Sequence, residues 1–165
     1  MGLDMYLRYR QSHSGYTYGD NDTTGYNNVL AASGLTDIAS KTSPYASVEV
    51  TVMYWRKVNA VHAWFVNELA DGVDECQEIH VSRENLQTLR DLCFEALSIP
   101  AGMSLADHAV SVLPPSEGFF FGSTEVDEYY IQDLQETMDG LDRILSHIPT
   151  ENEGWDWSLI YQASW

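Results

Sequence analysis

The sequence predicts an α+β domain: one mostly antiparallel sheet of about four strands with three main helices packed on it. Three observations carry this. Short stretches alternate apolar and polar residues with period two, as half-buried strands do. Two long segments repeat apolar residues with the helical period. At 165 residues the chain suits a single domain, residues 1–165, that buries roughly 70% of its unfolded surface.

Taken in order, Leu3, Met5, Leu7 and Tyr9 alternate with Asp4, Tyr6, Arg8 and Arg10, which predicts a strand. Residues 11–46 change character, 21 of these 36 being Ser, Thr, Gly, Asn or Tyr, and read as a long inserted loop with a short helix near YNNVLAASG. A first long helix is expected to start near 52 and to end at Asp71-Gly72, with VEVTVM as its lead-in or as a strand. CQEIHVS (76–82) alternates as a strand, and Ser82 is a natural N-cap for a helix whose stripe is Leu86, Leu89, Cys93 and Leu97. A short helix is expected around SLADHAVSV, stopped by Pro114-Pro115. GFFFGS reads as a buried strand over 118–122. Thr124 and Asp127 then make a capping-box signature for a long helix from about 125. WDWSLIYQASW places Trp155, Trp157, Leu159, Tyr161, Ala163 and Trp165 on one strand face, expected to be buried.

The formal net charge is −17, and it is unevenly spread: −2 over residues 1–50, −4 over 51–100 and −11 over 101–165. Such a field repels nucleic acids and anionic membranes and favours a basic partner. No apolar run approaches a membrane span, and MGLDMYLRYR lacks the apolar core of a signal peptide, so a cytoplasmic protein is expected. Tyr6 stands where a myristoylation motif wants Ser or Thr. Cys76 and Cys93 are the only cysteines and read as free thiols.

GLDMYL, YWRKVNAVHAWFV, DGVDEC, GFFFGSTEVDEYY and YQASW resemble landmarks of small uncharacterised proteins encoded by bacteriophages and prophages. They cover well over half the chain, leaving out mainly residues 11–46. The resemblance implies a phage setting, with the cytoplasm of a bacterial host as compartment. It brings no catalytic or binding residue.

YWRKVNAVHAWFV poses the sharpest local question. Read as a helix, it places Tyr54, Trp55, Val58, Val61 and Phe65 on one broad face, and Asn59 and His62 inside that same face. Burying an amide and an imidazole costs a few kcal/mol unless each finds hydrogen-bond partners. Either they are satisfied core groups, or they line a pocket where Trp55 stacks on a base-like ring and Arg56 or Lys57 reaches a phosphate. The second reading needs the 11–46 loop or a second subunit of a homo-oligomer to complete the site.

Other chemistry is sparse. Cys76, Glu78 and His80 share one face of the expected strand, a spacing that alternation alone produces, so no metal and no cofactor is assigned. Asp107-His108 fits an acid-base pair or a surface helix turn. No nucleophile elbow, P-loop or HExxH motif is present. On the last long helix, Ile131, Leu134, Met138, Leu141 and Leu145 face inward. Glu125, Glu128, Asp133, Glu136 and Asp139 gather outside, and no Lys or Arg interrupts 125–142. A solvated face explains them, as does imitation of a nucleic-acid phosphate row. The seven acids over those 18 residues give about one charge per 4 Å, against about one per 1.7 Å of DNA. Asp71, Asp74, Glu75, Glu78, Glu151, Glu153 and Asp156 would have to extend the same surface.

Three function classes follow. The first is a non-enzymatic, phage-encoded inhibitor of a host protein, most plausibly a basic, nucleic-acid-binding defence factor. It would be engaged by the acidic face and by Tyr16, Tyr18 and Tyr26, aromatic anchors in a loop of adaptable polar residues. The second is a small-ligand binder that sequesters a nucleotide immune signal at Trp55, Arg56, Lys57, Asn59 and His62. The third is a small enzyme, for which no catalytic constellation stands out.

Overall fold

The fold is that of a computed structural model describing residues 2–19, 21–150 and 156–165. Four strands form one antiparallel sheet in the order β2-β1-β4-β3: β1 is Asp4–Ser14, β2 Tyr45–Arg56, β3 Ile79–Val81 and β4 Trp157–Ser164. Helices α1 (Thr24–Ser33), α2 (Asn59–Leu69), α3 (Arg83–Leu97), α4 (Leu105–Val112) and α5 (Glu128–His147) complete it. The chain is thus α+β, as its alternating and helical periodicities predict.

Alternation decides the layering. Met5 and Leu7 of β1, with Trp157, Leu159, Tyr161 and Ala163 of β4, are buried beneath the helices. Leu3, Met5 and Leu7 are fully buried, each contributing about 1.5–3 kcal/mol by leaving water. Phe65 of α2 stacks on Tyr161 with centroids 3.9 Å apart and planes 11° off parallel. From α5, Thr137 Oγ1 accepts the Trp55 indole N–H at 2.9 Å, and Gly140 lets the helix approach β2 so closely that a Cβ there would meet the Met53 side chain. Ser82 and Asn85 form a reciprocal capping box at the start of α3. Arg83 then donates to the carbonyls of Leu145 and Ile148, fixing α3 to the end of α5. On the opposite face of the sheet, Arg8 and Arg10 pair with Glu49 and Glu78.

Five expectations are corrected. The helix expected from 52 starts at Asn59, because Tyr45–Arg56 pairs along the whole of β1, Met5 opposite Trp55 and Ser14 opposite Tyr45. Residues 118–122 are a turn and not a strand: Phe121 N–H bonds to Gly118 O, and Gly122 sits at φ 93°, a conformation open to glycine. The strand expected over 76–82 shortens to three residues, since Cys76 has φ 56° and leaves the extended region. The last long helix starts at Glu128, with Asp127 and not Thr124 as its cap, accepting from the N–H groups of Tyr129 and Tyr130. The 11–46 insertion is mostly structured: β1 runs to Ser14, β2 begins at Tyr45, and α1 crowns the hairpin. Trp165 is half-exposed beyond the buried face of β4, and Trp155 lies outside the described residues.

Candidate functional site

The end of the sheet where β2 passes into α2 gathers the chemistry. Lys57 takes φ 61° and donates its N–H to Leu3 O at 2.8 Å, which swings the chain from strand to helix within two residues. The first turn of α2 therefore carries Asn59 into the interior. Its Nδ2 donates to Phe121 O at 3.1 Å and Ser123 O at 2.8 Å, and its Oδ1 accepts from Ser116 N–H at 3.1 Å. One buried amide thereby fixes the loop from 116 to 123 at three points.

One turn further on, His62 is 2% exposed. Its Nε2 lies 3.0 Å from Asp74 Oδ2 and its Nδ1 2.7 Å from the Tyr161 hydroxyl. A carboxylate only accepts, so Nε2 carries the proton, and in the neutral ring Nδ1 accepts from the Tyr161 O–H. Burial, then the nearby Asp74, pushes the Tyr161 phenol well above its ordinary value, so it keeps the proton it donates. Asp74 Oδ1 in turn accepts the indole N–H of Trp165 at 3.2 Å. The hydrogen bonds thus run in one line from Tyr161 through His62 and Asp74 to Trp165.

Beside Asp74 opens a cleft of about 460 Å³, walled by Phe119, Phe120, Phe121 and Trp165, with Glu117 at its edge. Phe119 is 93% exposed. A Cβ on Gly118 would lie 2.4 Å from the Phe121 ring, so glycine is required where the turn sends Phe121 inward and Phe119 outward. Asp74, Glu117, Phe119 and Trp165 were not singled out from sequence as a site. The signal was nonetheless present: in a turn between glycines, three successive phenylalanines cannot all face the core.

Of the residues expected to form a nucleotide pocket, Arg56, Lys57 and Asn59 border one hollow, while Trp55 and His62 lie apart from it. Trp55 is buried with its indole N–H on Thr137, so it cannot stack on a ligand. Arg56, its neighbour on the strand, points to the other face of the sheet and pairs with Asp4 at 3.5 Å. The hollow of about 310 Å³ that Arg56, Lys57 and Asn59 border also holds Glu125, Asp127 and Asp133, whose carboxylates are ill suited to receive a phosphate. Asn59 and His62 have their polar atoms engaged inside the fold.

Along α5, Glu128, Glu136 and Asp139 are exposed, and no Lys, Arg or His side chain pairs with them among the described residues. Glu125 is exposed in the loop before the helix. Asp133 turns toward β2 and, with Glu136 and Asp139, lines a groove of about 620 Å³ between α5 and that edge strand, which Arg56 and Arg143 also border. Its carboxyl is pushed up to about 6, first by burial and then by Glu136 and Asp127. The acids of DGVDECQE do not extend this row: Asp74 is held by His62 and Trp165, and Glu78 pairs with Arg8 and Arg10. Glu151 and Glu153 lie outside the described residues.

Of the three tyrosines, Tyr18 is 80% exposed and stacks on Tyr16, whose hydroxyl donates to Thr42 O. Tyr26 is a correction: it is buried under Gly15, where it holds α1 to the hairpin, and cannot anchor a partner. Asp107 closes the cap of α4 with Ser104, and the buried His108 bonds to Glu95 O, so the two are structural. Among the described residues, no three His, Cys, Asp or Glu side chains converge as a metal site. Burial pushes the Cys93 thiol up to about 12, leaving it unreactive near neutrality.

Compared with known proteins, the chain significantly matches no family model, no curated protein and no solved structure, so the functional reading rests on its own chemistry. No helix among the described residues is long and apolar enough to cross a membrane.

Proposed function

We propose that this is a non-enzymatic binding protein of the phage type that antagonises a basic host protein, engaging it through the outer face of α5 and the groove between α5 and β2. The observation that carries the reading is the set of uncompensated acids. Some carboxylates are neutralised within the fold, Glu49 and Glu78 by Arg8 and Arg10, Asp4 by Arg56 and, near the end of α5, Asp142 by Arg90. Others, such as Glu68 and Glu95, stand exposed without an ion pair among the described residues; what marks α5 is that several such acids share one helix face. Along α5, Glu128, Glu136 and Asp139 have no basic partner among the described residues, and Asp133 retains a proton more tightly through burial and then the field of Glu136 and Asp127. A cationic surface laid on this face would supply the missing countercharge. Electrostatic complementarity of this kind accelerates encounter and selects partners, while apolar contacts supply much of the affinity. The exposed side chains of the hairpin crown, Tyr16, Tyr18 and Ile38, are candidates for such contacts. The resemblance to phage proteins supplies the biological setting.

The test is capture from a bacterial host with tagged protein. Reversing Glu128, Glu136 and Asp139 to Lys should sharply reduce recovery of the partner at moderate salt. An equal reversal of the exposed Asp37, Glu68 and Glu95 should preserve it. Equal loss in both variants would mean that net charge alone drives capture and would defeat the assignment to α5.

A further inference from the structure

Asn59 and His62 lie three residues apart on the buried face of α2, and each fixes one wall of the same cleft. Asn59 anchors the loop that presents Phe119 and Phe120, by three hydrogen bonds between 2.8 and 3.1 Å. His62 holds Asp74 in place, with Trp165 bonded to the other carboxylate oxygen. Among the described residues, the lining carries two carboxylates, Asp74 and Glu117, with His62 bonded to the first, and no Lys or Arg. Aromatic ring faces attract cations through their quadrupoles, and the carboxylates add direct charge pairing. At about 460 Å³ the cleft is large enough for an amino-acid-sized group.

From this arrangement we infer that the cleft is a binding site for an organic cation, an alkylated ammonium group, with Asp74 and Glu117 facing the charge and Phe119, Phe120 and Trp165 enclosing its carbon substituents. An anionic ligand such as a nucleotide phosphate would meet two carboxylates and no base. A neutral apolar group would leave both carboxylates to be desolvated without return. Asn59, which lies outside the lining, is therefore a positioning residue that sets one wall, while His62 sets the other through Asp74 and itself borders the cleft. The site is separate from the acidic face of α5 and stands or falls independently of it.

The experiment follows the Trp165 indole N–H signal by NMR in the full-length protein, assigned through Trp165→Phe, during titration with tetramethylammonium chloride. Sodium chloride at equal ionic strength and the neutral isostere neopentyl alcohol serve as controls. A saturable shift with the ammonium alone is expected, weakened about tenfold by Phe119→Ala and by Glu117→Gln, both of which alter exposed side chains. Asp74→Asn should abolish it, with folding confirmed by the remaining indole signals. The triple reversal on α5 should leave the titration unchanged. Equal shifts with neopentyl alcohol, wild-type affinity in Phe119→Ala and Glu117→Gln, no saturable shift at all, or loss of binding in the α5 variant would each overturn the proposal.

Discussion

Helices α2 and α5 handle polar side chains in opposite ways. In α2, Asn59 and His62 are turned into the core, and each engages its polar atoms with groups far away in sequence. In α5, Glu128, Glu136 and Asp139 are turned outward and, among the described residues, engage no base. Water explains the difference. A buried donor or acceptor that lacks a partner costs the full desolvation of that group, so burial demands pairing; an exposed carboxylate is satisfied by solvent and remains available to another molecule. Side chains of the first kind hold the fold, and those of the second kind can leave water for a partner.

The largest effect expected from breaking the first kind comes from removing YQASW, residues 161–165. This deletes the Tyr161 ring stacked on Phe65, the hydroxyl on His62, the Trp165 bond to Asp74 and half of a strand paired on both sides. The loss is large against a typical stability of about 5–15 kcal/mol, and no cooperative melting transition should remain. A truncated chain that melts like the full one would break the account of β4.

Next in size are the α2 polar residues themselves. Replacing either Asn59 or His62 with Ala should lower stability by about 1–3 kcal/mol in chemical denaturation, because Ser116 N–H or the Tyr161 hydroxyl is left unpaired. Asn59→Asp should be worse than Asn59→Ala: it would aim a carboxylate at the carbonyls of Phe121 and Ser123. An Asp variant as stable as wild type would show that the three-point anchor is not formed.

Much of this division could be read from the chain. Ser82 with its Leu86, Leu89 and Cys93 stripe marks α3, and period-two alternation marks β1 and β4, because both signals are local. The strand-to-helix boundary at Arg56 was not legible. Tyr54, Trp55, Val58, Val61 and Phe65 satisfy a helical period, while Val48, Val50, Val52 and Tyr54 also alternate as a strand, and only pairing with β1, up to 52 residues away, decides between them. Asn59 and His62 stood out as polar groups on an apolar face, but their partners, from 12 to 99 residues distant, could not be named from spacing. GFFFGS looked like a strand because β-propensity ignores the positive φ that Gly122 must supply.

Asp133 lies between the two kinds, half-buried at the groove, and sharpens the comparison with a smaller effect. Its folded-state value of about 6 lies above the ordinary 3.8, so the native protein holds this proton more tightly than the unfolded chain. Its ionisation therefore weakens the fold fully above pH 6, and the penalty disappears as pH falls from 6 toward 3.8. Asp133→Asn should accordingly raise the melting temperature at pH 7.5 and leave it nearly unchanged at pH 4. A variant equally stabilised at both values would assign the gain to something other than charge. A basic partner should also bind more tightly as pH rises through about 6, with release of a proton below that value.

The smallest stability change belongs to the outer face of α5. Reversing Glu128, Glu136 and Asp139 should shift folding stability by no more than about 0.5 kcal/mol for each substitution, since these exposed acids make no ion pair among the described residues. Its effect belongs in association. The measurement that tests the account most directly is the association rate of the captured host partner with wild-type and triple-reversed protein across a series of salt concentrations. The acidic-face account predicts that the reversed protein associates more slowly at low salt and that its rate responds less steeply to added salt, because screened attraction is what the acids provide. Identical rates and identical salt slopes for the two proteins would contradict it.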